Sequence, residues 1–300
     1  MDFLSPASGK STYCEQQRKN GWVVNSSDAI REELYGTEDI QSHNDVIFNT
    51  MLRRTFAALG ANTNCIYDAT NLASKRRINL IKQIRQKFPD VSIEAVVMAT
   101  PYEECLKRNA ARSRVVPEKV IASMFKRFEM PCYEEGFDEI YVSGINYEYS
   151  DKALDLMNKA IVTPHDNPHH SLSIGNHMRQ AHILYETKEK DVDAAISQAL
   201  LWHDIGKVYC KTFVNARGET TYIAHYYGHE CASAYLYLTL LSTTDLEGKL
   251  NPFNALVIQL IQHHMDFFKG EGYLEKIKSR YSRDFWDRLK MVHKYDLMSH

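Results

Sequence analysis

The stretch Ser5-Pro-Ala-Ser-Gly-Lys-Ser-Thr12, close to the start of the chain, decides the fold. It ends as a phosphate-binding loop ends, with a glycine, a lysine and two hydroxyl residues at the start of a helix, where backbone N–H groups can face phosphate oxygens. In such a loop Lys10 contacts the β- and γ-phosphates of a nucleotide and Ser11 ligates Mg²⁺. The residues expected to bind ATP here are Ser8, Gly9, Lys10, Ser11 and Thr12.

One position departs from this pattern. The residue five before Gly9, where the motif has its first glycine, is Leu4. Glycine permits backbone angles there that leucine resists, and only Met1 to Leu4 are left for the strand that precedes the loop. We therefore expect either a distorted loop or a chain start that differs from that of the natural protein.

Composition bounds the remaining possibilities. The 300 residues allow two domains of ~150 residues each, and 44% hydrophobic with 25% charged residues is typical of globular chains. No apolar run approaches the ~18 residues of a membrane span, and the first residues lack the order of a signal peptide. A cytoplasmic protein without a membrane partner is expected. Six scattered cysteines without a CxxC pair predict reduced thiols.

Charge is unevenly distributed, although the net charge is only −2. The segment from Ala73 to Lys87 contains six lysines and arginines and no acidic residue. A basic face of this kind could bind a polyanion. A solvated helix surface explains it equally well.

Histidine gives the sharpest change in composition along the chain. Of 13 histidines, only His43 lies in the first 150 residues, and twelve lie at or after His165. The segment Thr163-Pro-His-Asp-Asn-Pro-His-His170 has the prolines and turn formers of a connection between domains. The sequence therefore predicts two domains, residues 1–160 and residues 161–300.

The two parts differ in their predicted secondary structure. The first alternates β-rich runs at 22–25, 64–68, 93–98 and 139–142 with helical stretches such as 75–87 and 117–128, which indicates an α/β domain with a parallel sheet. The second has apolar residues at helical spacing in about five segments, with one strand-turn-strand candidate at 211–223. It is predicted to be all-α apart from that hairpin.

Polar residues follow the predicted strands of the first part. Asp28 and Arg31, three residues apart at a helix start, would share one face. The segment Asp68-Ala-Thr-Asn71 closes an apolar strand, where side chains of an α/β sheet reach the ligand crevice. Arg108 and Arg112 would lie one helical turn apart and could clamp two phosphates. Each also has a structural alternative, as a helix cap, a turn residue or a surface arginine.

In this order the segments resemble the phage-type 5′-OH polynucleotide kinase family. The resemblance runs from Ser5 to about Val142, through SGKST, SSDAIR, DATNLASKRR and KRNAARSRVVPEKVIASMFKRF. It implies a kinase that uses ATP and Mg²⁺ at Lys10, Ser11 and Thr12, with Asp28 as general base on the 5′-hydroxyl and Arg31 on the acceptor phosphate. It also implies that Asp68, Thr70 and Asn71 line the acceptor and metal side, and that Arg108 and Arg112 lie on a lid over the donor phosphates.

Histidines and carboxylates occupy core-facing positions in the helices of the second part. The residues in register with apolar stripes are His177, His203, Asp204, His263 and Asp296. Burying them unpaired would cost several kcal/mol each, and a shared cation is the simplest compensation. A single core histidine is more often hydrogen-bonded to the backbone than bound to metal. Five such cases in one helical part favour a metal centre.

The order His177, His203-Asp204, His229, His263, Asp296 resembles the HD phosphohydrolase superfamily, over about residues 165–300. The surrounding segments are NPHHSLSIGNHM, ALLWHDIGK, YGHECASA and LIQHH. With a hairpin between HDIGK and GHE, this part is similar to the HD domains attached to tRNA nucleotidyltransferases and to bacterial polynucleotide kinases with 2′,3′-phosphatase activity.

The resemblance implies two sets of metal ligands. One metal would be held by His177, His203, Asp204 and Asp296, and a second by Asp204, His229 and His263, with His264 as the alternate. Mixed imidazole and carboxylate ligands suit Mn, Ni, Co, Fe or Zn better than Ca. Lys207, one helical turn after Asp204, would either neutralise a substrate phosphate or be an ordinary helix-end lysine.

A kinase for 5′-OH ends and a hydrolase for 2′,3′-cyclic, 2′- or 3′-phosphates match the two ends of broken RNA. The resulting hypothesis is a bifunctional enzyme that heals RNA or DNA ends for a separate RNA ligase. One alternative keeps the kinase but lets the HD part hydrolyse free nucleotides. Another is an ATP-gated nucleic-acid-binding protein whose kinase is inactive because of Leu4.

Overall fold

The computed structural model describes residues 2–3, 7–40, 42–144, 150–168, 171–241 and 243–299. The first part of the chain forms a five-stranded sheet in the order β2-β3-β1-β4-β5, with every strand pair parallel. The strands are β1 (Asp2–Phe3), β2 (Val23–Ser26), β3 (Cys65–Asp68), β4 (Glu94–Met98) and β5 (Glu139–Ser143). The helices are α1 (Lys10–Lys19), α2 (Ser27–Tyr35), α3 (Asn44–Gly60), α4 (Ser74–Lys87), α5 (Tyr102–Ala110) and α6 (Glu118–Phe125).

Helical crossovers explain the parallel order, because a strand that follows a crossover helix returns in the same direction. The four strands predicted after the phosphate loop agree with β2 to β5 within one residue at each end. β1 lies between β3 and β4, so the chain changes side at β1 and a crevice opens at the carboxyl ends of the strands. Ser26 of β2 pairs in register with Asp68 of β3. The residues that follow these two strands therefore reach the same edge of the sheet.

The second part is largely helical, as predicted. Its helices are α7 (Ser150–Val162), α8 (Ile174–Lys188), α9 (Ala194–Trp202), α10 (Lys207–Cys210), α11 (His229–Leu240), α12 (Pro252–His263), α13 (Glu271–Arg280) and α14 (Arg283–Leu297). A 3₁₀ turn covers His264–Phe268 between α12 and α13. The predicted hairpin is present as β6 (Thr212–Val214) and β7 (Thr220–His225), which pair antiparallel.

Helix α7 crosses residue 160, where the sequence places the domain boundary. It packs against α8, and a Cβ atom at Gly175 would come within 2.5 Å of the backbone nitrogen of Ile161. Only glycine therefore permits this close approach of the two helices. The buried apolar core runs through both parts of the chain without interruption. The division at residue 160 stays a prediction.

Main-chain hydrogen bonds join the sheet to the helical part. The N–H of Leu250 donates to the carbonyl of Ile140 at 2.9 Å, and the N–H of Val142 donates to the carbonyl of Gly248 at 2.8 Å. Residues 248–250 thus cover the edge of β5, which would otherwise offer unpaired backbone groups to solvent. At the end of β4, the Tyr235 hydroxyl donates to the carbonyl of Thr100 at 2.5 Å.

All six cysteines carry free thiols, five of them buried, in agreement with the sequence prediction. Among the helices of the described residues, none combines the length and the apolar character needed to cross a bilayer.

A buried ion pair holds the loop that follows β3. The guanidinium of Arg77, on α4, is 0% exposed and donates from Nε and Nη2 to the carboxylate of Glu135 at 2.6 and 2.5 Å. Its Nη1 donates to the carbonyl oxygens of Asn71 and Leu72 at 2.9 and 3.1 Å. Arg77 is therefore one of the six basic residues of the 73–87 segment, but it is an internal structural cation and not part of a basic face.

We expect Arg77→Met to destabilise the protein by about 3–5 kcal/mol, because it leaves the Glu135 carboxylate buried without a partner. The double variant Arg77→Met/Glu135→Leu removes both charges and should recover most of that loss. Urea denaturation followed by circular dichroism measures the free energies of unfolding. Arg54→Met, which breaks an exposed pair with Glu33, is the control and should leave the midpoint unchanged. A loss no larger than that of the control would show that the buried pair is not structural.

Candidate functional site

The phosphate loop leads into α1 at the carboxyl end of β1. Gly9 precedes the helix with φ of 97°, a left-handed conformation that favours glycine. Ser8 is buried, and its carbonyl accepts a hydrogen bond of 2.8 Å from Thr100, which ties the loop to the end of β4. Ser11 and Thr12 are exposed on the first turn of α1, which carries no acidic residue. The positive end of the helix dipole therefore faces the crevice.

Two observations at this loop fit a bound nucleotide phosphate. Within the described ranges, the buried Ser8 hydroxyl has no hydrogen-bond partner. Lys10 lies over the crevice, with its Nζ 2.7 Å from the Asp68 carboxylate at the end of β3. Leu4, the position that departs from the motif, lies outside the described residues.

A second polar group lies at the start of α2, on the edge of the sheet shared with Asp68. The buried guanidinium of Arg31 donates to Asp28 and to Asn44, both at 3.0 Å. Its Nε–H is buried and has no partner in the part of the chain that the structure describes. The Asp28 side chain is 53% exposed. The set offers one exposed carboxylate and one unused guanidinium N–H side by side, which suits an acceptor with a hydroxyl beside a phosphate.

Asn44 was not predicted from the sequence. It is the first residue of α3, thirteen positions after Arg31, and no local pattern links the two. Thr70 and Asn71 lie where the sequence placed them, in the loop after β3. Thr70 is exposed, and Asn71 has φ of 42° while its carbonyl is held by Arg77.

The predicted clamp of Arg108 and Arg112 on one helical face is wrong. Helix α5 ends at Ala110, so Arg112 lies beyond it in a turn. The cause is Asn109, whose side chain both donates to the carbonyl of Val116 at 2.8 Å and accepts from its N–H at 3.0 Å, closing the chain into that turn. Arg108 forms an exposed ion pair with Glu104 at 2.9 Å.

The second part brings a buried cluster of histidines and carboxylates together. One ligand atom from each residue lies within 4.8 Å of the others in two groups that share Asp204. The first group is His177, His203, Asp204 and Asp296, and the second is Asp204, His229 and His264. All of these side chains are buried. Six residues from five separate segments thus converge on two adjacent points.

Main-chain carbonyls fix the orientation of all four rings. The Nδ1–carbonyl distances are 3.2 Å for His177 to Ser299, 2.8 Å for His203 to Leu200, 2.8 Å for His229 to Tyr226 and 2.7 Å for His264 to Ile261. A carbonyl oxygen only accepts, so a neutral ring carries its proton on Nδ1 and leaves Nε2 as a lone pair. The Nε2 atoms meet in pairs, His177 with His203 at 3.3 Å and His229 with His264 at 3.2 Å. Facing lone pairs repel one another unless a cation lies between them.

The electrostatics of the cluster favour positive charge. Burial alone would raise the pKa of Asp204, but the Lys207 ammonium and the His203 ring hold that pKa well below its usual range. Asp296 has a similarly lowered pKa because His203 and His177 outweigh the effect of burial. Burial lowers the pKa of His264. Although the His203 ring is fully buried, Asp204 and Asp296 raise its pKa. Carboxylates and imidazoles together are the donor set of a divalent transition metal, so these residues fit such an ion.

Lys207 lies at the cluster, not on the surface as an ordinary helix-end lysine would. Its Nζ is 2.6 Å from the Asp204 carboxylate, 3.5 Å from His165 Nε2 and 5.3 Å from the centre of the Tyr226 ring. Burial and the Lys207 ammonium lower the pKa of His165 to about 4. The sequence pattern places His165 only in the connecting segment, because a residue in a turn has no helical register that could reveal its partners.

The assignment of His263 as a ligand is wrong, and its alternate His264 takes that place. His263 makes contacts away from the cluster, at 2.6 Å with Asp266 and 2.9 Å with the Tyr281 hydroxyl. Adjacent residues of a helix point about 100° apart, so only one of the pair can face Asp204. The fully buried stripe that continues to His264 is Val257, Leu260 and Ile261. That register is present in the sequence and could have decided the choice.

The fold and the phosphate loop define a P-loop kinase-like domain in the N-terminal part of the chain. Comparison with known families agrees: residues 5–131 match the family AAA_33, described as an AAA domain. The chain is also 26% identical over 145 residues to L-seryl-tRNA(Sec) kinase of Methanococcus maripaludis. That similarity covers 44% of this chain and 53% of the relative, so the chain spans about half the length of the curated relative it matches.

Metal content should separate the two adjacent histidines. We expect His264→Gln to lose the ion of the second group, because it removes an Nε2 atom that faces Asp204, and His263→Gln to keep the wild-type metal content. Elemental analysis of both purified variants after loading with Mn or Zn makes the comparison. Circular dichroism verifies that both are folded. Metal loss from His263→Gln alone would restore His263 as the ligand.

Proposed function

We propose that this protein is a bifunctional RNA end-healing enzyme. Its first activity is ATP-dependent phosphorylation of a 5′-OH end, and its second is metal-dependent hydrolysis of a 2′,3′-cyclic, 2′- or 3′-phosphate. The observation that carries the proposal is the presence, on one continuously packed chain, of a phosphate loop with an acceptor group beside it and a separate buried cluster of histidines and carboxylates. The healed ends would pass to a separate ligase.

The residues of the first site divide the work of phosphoryl transfer. Lys10 and the N-terminus of α1 neutralise the phosphates of ATP, and Ser11 holds the Mg²⁺ that accompanies it. The half-exposed carboxylate of Asp28 accepts the proton of the attacking 5′-hydroxyl. The unused Nε–H of Arg31 binds the phosphate next to that hydroxyl. Asn44 and Asp28 hold the guanidinium in place for this contact.

The name of the similar protein supports an acceptor that is attached to RNA. That protein is named as a kinase of L-seryl-tRNA(Sec). The seryl group in that name carries a hydroxyl and is attached to an RNA. Phosphoryl transfer to an alcohol needs the same parts whatever carries the alcohol, namely cations around the moving group and a base at the nucleophile.

The second site is proposed to hold divalent transition metal through the two groups that share Asp204. Such an ion, when bound, supplies Lewis acidity and an activated water. The Nδ1 contacts with main-chain carbonyls hold the rings so that only Nε2 faces the ion. Lys207 lies against the same carboxylate and so can neutralise the charge of a phosphate brought to the cluster. His165, kept neutral, leaves the Lys207 ammonium as the charged group of the pair.

One incubation tests the two activities together. Oligoribonucleotides that carry a 5′-OH and a 2′,3′-cyclic phosphate are incubated with and without ATP and with and without Mn, Ni, Co or Zn. We expect 5′ phosphorylation to need ATP and phosphate opening or release to need metal. Free 2′,3′-cyclic nucleotides in a parallel arm show whether the second site requires a strand. Failure of every 5′-OH acceptor would refute the kinase, and metal-independent release would refute the second site.

The two activities should separate by mutation. We expect Lys10→Ala and Asp28→Asn to lower 5′ phosphorylation by about 10²-fold or more, because they remove the phosphate cation and the base, and to leave phosphate release intact. We expect Asp204→Asn to abolish phosphate release and bound metal while sparing the kinase, and Asp296→Asn to weaken metal binding. Initial rates and metal content of each folded variant are measured side by side. A parallel loss of both activities in all four variants would contradict the two-site assignment.

A further inference from the structure

A large cleft separates the sheet domain from the last helices of the chain. Its walls are α4 on one side and α13 on the other, with the segment after α6 between them. The cavity volume is about 1400 Å³, above the range of about 300–1,000 Å³ found for small-molecule sites. Its size therefore indicates an extended ligand.

The cleft borders the acceptor-side loop of the first site and a segment next to the second site. Thr70 and Asn71, on the acceptor side of the first site, line one part of it. His263 and Asp266 line another part, next along the chain to His264 of the histidine cluster. A ligand that fills the cleft would therefore lie beside the acceptor-side loop of the first site and against the segment that precedes and follows His264.

Basic side chains line both walls. Lys75 and Arg76 project from α4, Lys126 from the end of α6, and Lys276 from α13. Within the described ranges, none of these four cations has an acidic partner at ion-pair distance. Most of the acidic lining residues, by contrast, are already engaged. Glu135 pairs with Arg77, Asp266 and Glu230 pair with Lys269, and Glu129 accepts from the N–H of Ser74.

Aromatic rings lie beside one of these cations, Arg76, and beside Lys269, which is itself paired with Asp266 and Glu230. The Arg76 guanidinium is 5.9 Å from the centre of the Phe48 ring, and the Lys269 ammonium is 5.1 Å from that of Tyr273. Both rings line the cleft. Cations that follow a phosphate backbone, together with flat rings on which bases stack, are the composition of grooves that bind single-stranded nucleic acid.

We propose that this cleft binds a single strand of nucleic acid whose 5′ end lies at Asp28, with its backbone between α4 and α13. The proposal rests on the proposed function, because that function supplies the direction of the strand. It also divides the basic 73–87 segment into three roles. Arg77 is structural, Lys75 and Arg76 contact phosphates, and Lys82 on the same helix faces away from the cleft.

Two charge-reversed double variants test the proposal. The cleft variant is Arg76→Glu/Lys276→Glu, and its control is Lys82→Glu/Lys278→Glu, which makes the same charge change on the same two helices outside the cleft lining. Fluorescence anisotropy measures binding of a 5′-OH single-stranded 16-mer over a range of salt. We expect the cleft variant to bind about tenfold more weakly or worse, with a salt slope reduced by about 1.4 for two lost phosphate contacts. The control should match wild type.

Kinase rates with acceptors of two lengths complete the test. The cleft variant should raise the KM for the 16-mer and leave phosphorylation of a 3′-mononucleotide with a free 5′-OH unchanged, because that acceptor reaches only Asp28 and Arg31. Equal weakening of 16-mer binding by both variants would overturn the cleft as the site. So would a 16-bp duplex that binds wild type as tightly as the single strand does and loses as much affinity in the cleft variant. If wild type phosphorylates neither acceptor, the proposed kinase fails, while the anisotropy comparison still decides whether the cleft binds a strand.

Discussion

The buried charge of Arg77 is the constraint that fixes the loop after β3 and joins the two parts of the chain. A guanidinium without solvent contact must be neutralised and its N–H groups must be used, and here Glu135 and the carbonyls after β3 do both. The loop that carries the acceptor-side residues is thereby fixed. The same carboxylate lies 3.8 Å from the Cys132 thiol, which in turn contacts the Tyr281 hydroxyl at 3.5 Å, and Tyr281 contacts His263 at 2.9 Å. One line of buried polar contacts thus joins the two parts of the chain.

Local pattern was enough to predict the sheet and the phosphate loop. Strands β2 to β5 are short apolar runs between helices, so their limits depend on residues within the run itself. The loop is similarly local, since Gly9, Lys10 and Ser11 act through their own backbone and the helix they begin. The register of helices α8 and α14 identified His177 and Asp296 as core-facing, because a helical face is set by spacing alone.

The remaining site residues depend on tertiary contacts that no spacing encodes. Asn44 reaches Arg31 only because α3 packs against α2, and His165 reaches Lys207 from a turn. Arg112 was placed on α5 by helical spacing, but the side-chain bonds of Asn109 end that helix first. In the first two cases the contact joins segments that are far apart in the sequence. In the third, hydrogen bonds of one side chain within a local turn override helical periodicity. Periodicity therefore predicts which face is buried better than it predicts where an element stops.

The histidine cluster shows why a buried polar group can be stronger grounds for function than a sequence match. The matched family covers residues 5–131 only, so the second part must be argued from its own chemistry. Four rings whose Nε2 atoms converge next to two carboxylates form a buried polar group that opposes folding unless its members are paired, as Asp204 is with the Lys207 ammonium. A core that needed only stability would contain apolar side chains of similar volume there. The chain retains this polar set, which is the set that the proposed binding of a divalent cation would require.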